Sequence, residues 1–209
     1  MIIAVLANEN MKAEFLSRQF PSDIEFIWAD SLRSFGIIEA DAYFDLDFEF
    51  DVDRITRLKK LLYRPVFINS VIDTCAAINA PFIRINAWPT MLKREILEVV
   101  VPLKELLPVT DDVLSKLNWQ YKVVPDIPGM VTPRIVSSII NEAWFALSEN
   151  VSTRDQIDTA MKLGTNYPYG PFEWMQRIGE NKVIQLLTAL QQTDSTYAVA
   201  PNLLNKTHK

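Results

Sequence analysis

Histidine and cysteine each occur once in this chain of 209 residues, and glycine only five times. The lone histidine, His208, stands beside the C-terminus, where no element is expected to fix it. A single cysteine excludes an intramolecular disulfide. Cys75 lies in the apolar stretch VIDTCAAI and reads as a buried small hydrophobe rather than a nucleophile. Only Gly36 precedes Gly129, so the first half of the chain lacks the material for a glycine-rich phosphate cradle. No apolar run approaches the roughly 18 residues of a membrane span, and the N-terminus has no charged leader pattern. Neither a membrane span nor a signal peptide is expected, and a cytoplasmic location is. A formal net charge of −5 argues against a nucleic-acid surface. Internal repeats and low-complexity linkers are absent too.

What remains is ordinary globular composition, 49% hydrophobic and 22% charged, in a chain long enough for one or two cores. Residues 1–7, Ile24–Trp28, Ala42–Phe50, Val66–Asn69, Phe82–Ile85, Leu97–Val101 and Tyr121–Val124 read as strands. Residues 10–19, with Met11, Phe15 and Leu16 inward, read as a helix. So do Val52–Leu62 and Asp111–Leu117. Strands alternating with helices predict a parallel α/β sheet. Residues 45–53, DLDFEFDVD, carry an acid at every odd position. An extended conformation would line the carboxylates up on one side, as a metal site or as a solvated strand edge leading into a helix N-terminus; the second is the expectation.

From Pro128 onward the pattern changes to helical. Val131, Ile135, Ile139, Ala143 and Leu147 fall four apart, with Val136, Ile140 and Trp144 alongside, giving one broad apolar stripe. Pro133 is tolerated in the first turn, and Asn150 reads as the stop. Ser152 with Asp155 suggests a capping box opening a second helix, with Ile157, Ala160 and Met161 inward and Gly164 as its end. Pro171 opens a third helix.

Pro128-Gly129, Arg134, Asn141-Glu142-Ala143, the run from Ile157 to Gly164 (IDTAMKLG) and Gly170-Pro171-Phe172-Glu173 occur in an order that resembles the C-terminal domain of the 3-hydroxyacyl-CoA dehydrogenase family. The first half resembles, more loosely, the same family's dinucleotide-binding domain. The resemblance implies a shortened, degenerate Rossmann-like α/β domain over 1–126, followed by an all-α domain over 127–209.

The family's hydride transfer between NAD and the C3 carbon of an acyl-CoA requires a glycine turn for the pyrophosphate, a general base for the 3-hydroxyl and hydrogen-bond donors near the thioester. The family's three glycine positions fall here on Ala7, Glu9 and Lys12. A Glu9 carboxylate there repels phosphate and would instead satisfy the helix N-terminus. Asp30, after the second strand, is placed to meet a ribose hydroxyl. The histidine position holds Asn86, and its glutamate partner is retained as Glu98. The family asparagine after the Pro-Gly turn falls on Pro133. Asn69 and Ser70 lie near the family's polar substrate contacts. These departures lead to the expectation of a family protein without NAD-dependent catalysis and with no cofactor, holding an acyl-CoA-like ligand or a partner protein. The alternatives are a divergent active dehydrogenase and a structural subunit of a fatty-acid oxidation assembly. A homodimer through the helical domain is expected, with Trp88, Trp144, Tyr167, Tyr169 and Trp174 filling cores or lining a substrate groove.

Overall fold

A computed structural model describes residues 1–204. His208 lies outside the described residues. The chain divides into two compact units, Met1–Met130 and Val131–Lys209.

The first unit is a seven-stranded sheet in the order β2-β1-β3-β4-β5-β6-β7. Its strands are β1 (Ile2–Leu6), β2 (Glu25–Ala29), β3 (Ala42–Asp45), β4 (Val66–Ile68), β5 (Ile83–Ile85), β6 (Ile96–Val100) and β7 (Gln120–Val123). They alternate with helices α1 (Glu9–Leu16), α2 (Leu32–Phe35), α3 (Val52–Lys59), α4 (Cys75–Ile78) and α5 (Leu107–Lys116). Alternation at period two sends Ile3, Val5 and Phe44 to one face and Ala4, Leu6 and Tyr43 to the other, so both faces bury apolar side chains. Helices α1 and α5 cover the first face through Met11, Phe15, Val113 and Leu114. Helices α2, α3 and α4 cover the second through Phe35, Ile55, Leu58 and Ile78. Phe15 sits in a cage of rings, with Phe20, Phe26, Phe44 and Trp119 all within 4.9–6.2 Å centroid to centroid.

The sheet departs from the expectation in one connection. β5 and β6 run antiparallel, with Arg84 opposite Val100 and Ile85 opposite Val99. Only ten residues separate these strands, too few for a crossover helix, so the chain turns back on itself. Leu16 also differs, being 48% exposed at the end of α1. β3 stops at Asp45, so the acidic stretch is not one extended row. Asp45 is fully buried and pairs with Arg54. Asp47 accepts from Asn8, Asp51 caps α3, and Asp53 pairs with Arg57. Among the described residues no cluster of ligands suits a metal ion.

The second unit is helical: α6 (Thr132–Ser148), α7 (Arg154–Thr165), α8 (Pro171–Ile178), α9 (Glu180–Thr193) and α10 (Pro201–Leu204). The stripe on α6 is buried through Ile140, Ala143 and Trp144, whereas Val131 and Ile135 stay exposed. Asn150 adopts the left-handed conformation just beyond the end of α6. α7 is capped by Thr153 and Gln156 rather than by Ser152 and Asp155. It runs past Gly164 to a left-handed Asn166. Its one buried residue is Asp158, while Ile157 and Met161 are half-buried and Ala160 is exposed. No helix among the described residues is long and apolar enough to cross a membrane.

Candidate functional site

In a sheet of this order the chain leaves β1 to one side for β2 and returns to the other for β3. The crevice at the carboxyl ends of β1 and β3 is therefore the place where such folds bind ligands. Here Asn8 Oδ1 accepts from the Met11 N–H at 3.0 Å and caps α1, while Asn8 Nδ2 donates to Asp47 at 2.6 Å. The cap role thus falls to Asn8, not to Glu9, which lies exposed in the first turn. A pyrophosphate is held by bare backbone N–H groups that approach closely. This turn offers a side-chain cap flanked by two carboxylates and does not fit the phosphate cradle of a glycine turn. Asp30 ends β2 and accepts from the hydroxyls of Ser34 and Ser31. Those hydrogen bonds, Ser34 first, hold its carboxyl below the usual range. It builds the start of α2.

Asn86 and Glu98 do come together. β5 and β6 place them side by side, with the Asn86 N–H donating to the Glu98 carbonyl at 3.1 Å. Asn86 Nδ2 makes a long hydrogen bond to Glu98 Oε2 at 3.4 Å. Asn86 Oδ1 faces the Trp88 N–H at 3.5 Å, and the two side chains are 3% and 8% exposed. The retained glutamate therefore holds an amide where the family pattern has an imidazole. An amide donates and accepts hydrogen bonds but does not take up a proton near neutral pH.

Asn69 lies beside this pair. Its Nδ2 donates to the Leu46 and Ala87 carbonyls at 3.0 Å each, and its Oδ1 accepts from the Ala87 N–H at 3.1 Å. It ties the ends of β3, β4 and β5 together. Ser70 donates to the Asp73 carbonyl at 2.9 Å and is buried. Both residues are spent on the fold.

The loop between Asn86 and Glu98 is gripped by α1. Glu14 accepts from the N–H groups of Thr90 and Leu92 at 2.7 and 2.9 Å, and Arg18 donates to the carbonyls of Leu92 and Arg94 at 2.9 and 2.6 Å. Thr90 is held at φ 77°, a conformation unfavourable for a β-branched residue. Nothing in the sequence pattern pointed to this clamp. Arg84 was missed too, although a lone arginine inside the apolar run FIRIN was a readable sign. It is fully buried and donates to the carbonyls of Ser70, Val71 and Ile127 and to the Asp126 carboxylate. Asp126 also accepts from the Cys75 N–H. Burial first, and Asp126 second, push the Cys75 thiol up to about 12, which leaves it inert as a nucleophile.

In the second unit the run IDTAMKLG and the turn GPFE form one lock. Asp158 accepts from the Phe172 and Glu173 N–H groups at 2.8 and 3.3 Å and so caps α8. Glu173 accepts from the Gly170 N–H at 3.0 Å and from Lys162 at 2.5 Å. A Cβ on Gly170 would lie 2.3–2.4 Å from Asp158, which is why the turn needs glycine. Asn141 binds the Ala198 carbonyl and the Ala200 N–H at 2.8 and 2.9 Å. Trp88, Trp144 and Trp174 are buried, whereas Tyr167 is 40% exposed.

Comparison with known proteins agrees with these patterns. Residues 129–209 match the family model described as 3-hydroxyacyl-CoA dehydrogenase, C-terminal domain. The chain is 48% identical over 68 residues to 3-hydroxyadipyl-CoA dehydrogenase of Escherichia coli, covering 32% of this chain and 14% of that protein. It is 35% identical over 119 residues to 3-hydroxybutyryl-CoA dehydrogenase of Bradyrhizobium diazoefficiens, covering 50% of this chain and 41% of that one. It thus spans less than half the length of these relatives. The fold is that of the crystal structure of (S)-3-hydroxybutyryl-CoA dehydrogenase from Ralstonia eutropha, with TM-score 0.72, 17% identity and coverage of 98% and 92%. The match to the 3-hydroxyacyl-CoA dehydrogenase family model thus lies in the second unit, and the fold as a whole is a Rossmann-like first unit followed by a helical second unit.

One expectation is overturned by these matches, that of no cofactor. The relatives are dehydrogenases, and a similar fold, with TM-score 0.66, belongs to a pyridine-carboxylic acid dehydrogenase described as an NAD+-dependent dismutase. The misfit described above is local to the β1–α1 turn, and one altered turn does not decide the cofactor of a whole domain.

Proposed function

We propose that this chain holds an acyl-CoA-like ligand without oxidising it through the family's histidine-dependent route. The observation that carries this reading is the buried amide of Asn86 against Glu98. Removing a general base typically costs a factor of about 100 to 10,000 in rate. Binding a thioester needs no base; it needs an apolar recess and a few donors. The similar proteins named above act on CoA thioesters of short hydroxy acids, which supports the ligand class.

Titration calorimetry with butyryl-CoA and acetoacetyl-CoA tests the proposal. Saturable binding at tens of micromolar is expected, and no heat at millimolar ligand sinks it. Rapid consumption of NADH when acetoacetyl-CoA is added would favour the alternative, a divergent active dehydrogenase.

A further inference from the structure

The second unit contains a cavity of about 770 Å³ between α7 and α8, bounded also by Trp144 and Glu180. Its volume is in the range of small-molecule sites. Trp144 and Met175 are buried at its wall, and Phe172 is half-buried. Above them stands Arg154, its guanidinium 4.7 Å from the centre of the Trp144 ring and 5.3 Å from that of Phe172.

Most charges around this cavity are already committed. Lys162 pairs with Glu173, and Asp158 is consumed by the N–H groups that open α8. Arg154 is different. Among the described residues it has no carboxylate within ion-pair distance, and the residue is exposed. The two rings, themselves edge to face, hold the guanidinium at this wall by cation–π attraction. A guanidinium localised in this way, with no carboxylate partner, is suited to pair with a ligand carboxylate.

From this geometry we propose that the cavity binds a small aliphatic carboxylate. The carboxylate pairs with Arg154, and the chain of the ligand lies along Phe172 and Met175. Gln176 and Thr159, also at the wall, supply neutral hydrogen-bonding groups for a hydroxyl or amide on that chain. A phosphate dianion is the poorer match. Only one cation is uncommitted, and Asp155 and Glu180 at the rim repel a second negative charge. This site is built entirely from the second unit and does not depend on the thioester reading above.

The carboxylate can come as a free acid or as the far end of a CoA thioester. Calorimetry with adipate, adipyl-CoA and hexanoyl-CoA, each on the wild type and on Arg154→Gln, separates the two. Losing a charged hydrogen-bonding partner should weaken carboxylate ligands by about 10- to 100-fold. Hexanoyl-CoA, which ends in a methyl group where adipyl-CoA has its free carboxylate, should bind both proteins equally. Arg154→Lys keeps the charge and the cover over Trp144 and should fall between. An effect on adipate as well as on adipyl-CoA identifies a free acid. An effect on adipyl-CoA alone identifies the thioester. The inference is overturned if neither ligand shows Arg154-dependent binding, or if hexanoyl-CoA loses affinity equally. A matched thermal midpoint of the variants excludes unfolding as the cause.

Discussion

The two units keep their family likeness in different ways. In the second, the residues that carry the likeness also hold the helices together. Asp158 and Glu173 cap α8, Lys162 pairs across to it, and Asn141 binds the segment before α10. In the first, the residues that hold the sheet are not those that carry the family's chemistry. Arg84, Asn69 and the Asp45–Arg54 pair fix the strand ends. The positions of the glycine turn and of the base hold Ala7, Glu9, Lys12 and Asn86. Positions that satisfy buried polar groups resist change because an orphaned donor or acceptor is costly. Positions that serve only chemistry can drift while the fold stays.

Arg84 should break the first unit most severely. Arg84→Met leaves three carbonyls and the Asp126 carboxylate without their buried donor. Removing one partner of a buried pair costs about 3–5 kcal/mol, and partial exposure of Asp126 places the expected loss near the lower end. Urea denaturation measures it, and a loss below about 1 kcal/mol would show that the linked loops relax freely.

A smaller effect is expected in the second unit from Gly170→Ala, because its methyl overlaps Asp158. Overpacking of this kind costs about 1–3 kcal/mol. The double variant with Asp158→Ala should lose less than the sum of the two single losses, since the second change removes the clash. Strict additivity in a double-mutant cycle would refute the lock.

The smallest effect concerns pH. The hydrogen bond from Lys162, followed by that from the Gly170 N–H, holds the Glu173 carboxyl below its ordinary value of 4.5. A depressed carboxylate stabilises the fold above its unfolded pKa, and that stability is lost as pH falls through the folded value. Glu173→Gln should therefore flatten the acid side of the stability curve below about pH 4.5, with little change in shape above it. An unchanged acid limb would mean that the pair with Lys162 contributes nothing.

Much of this comparison was legible in the sequence. Short apolar runs placed the strands, and the four-residue spacing from Val131 placed α6. The reversal at β5–β6 was not legible, because both strands are short apolar runs whose direction depends on their connection. The polar run on α7 was read only as a carrier of the resemblance, and the structure shows what it holds together, with Asp158 on the N–H groups of α8 and Lys162 on Glu173. A carboxylate 14 residues away from the N–H it caps leaves no local signal. Asn86 and Glu98 were matched through the resemblance alone, since cross-strand neighbours twelve residues apart have no periodic signature, and the structure makes them neighbours.

The central claim is that the amide at position 86 cannot do the work of a base. Steady-state reduction of acetoacetyl-CoA, followed by NADH absorbance with both substrates saturating, tests it most directly. An ordinary turnover of about 10 per second, reduced by the factor of about 100 to 10,000 that a lost base costs, gives at most about 0.1 per second, and that is the predicted result. Turnover at or above about 1 per second would contradict it and make this chain an active dehydrogenase.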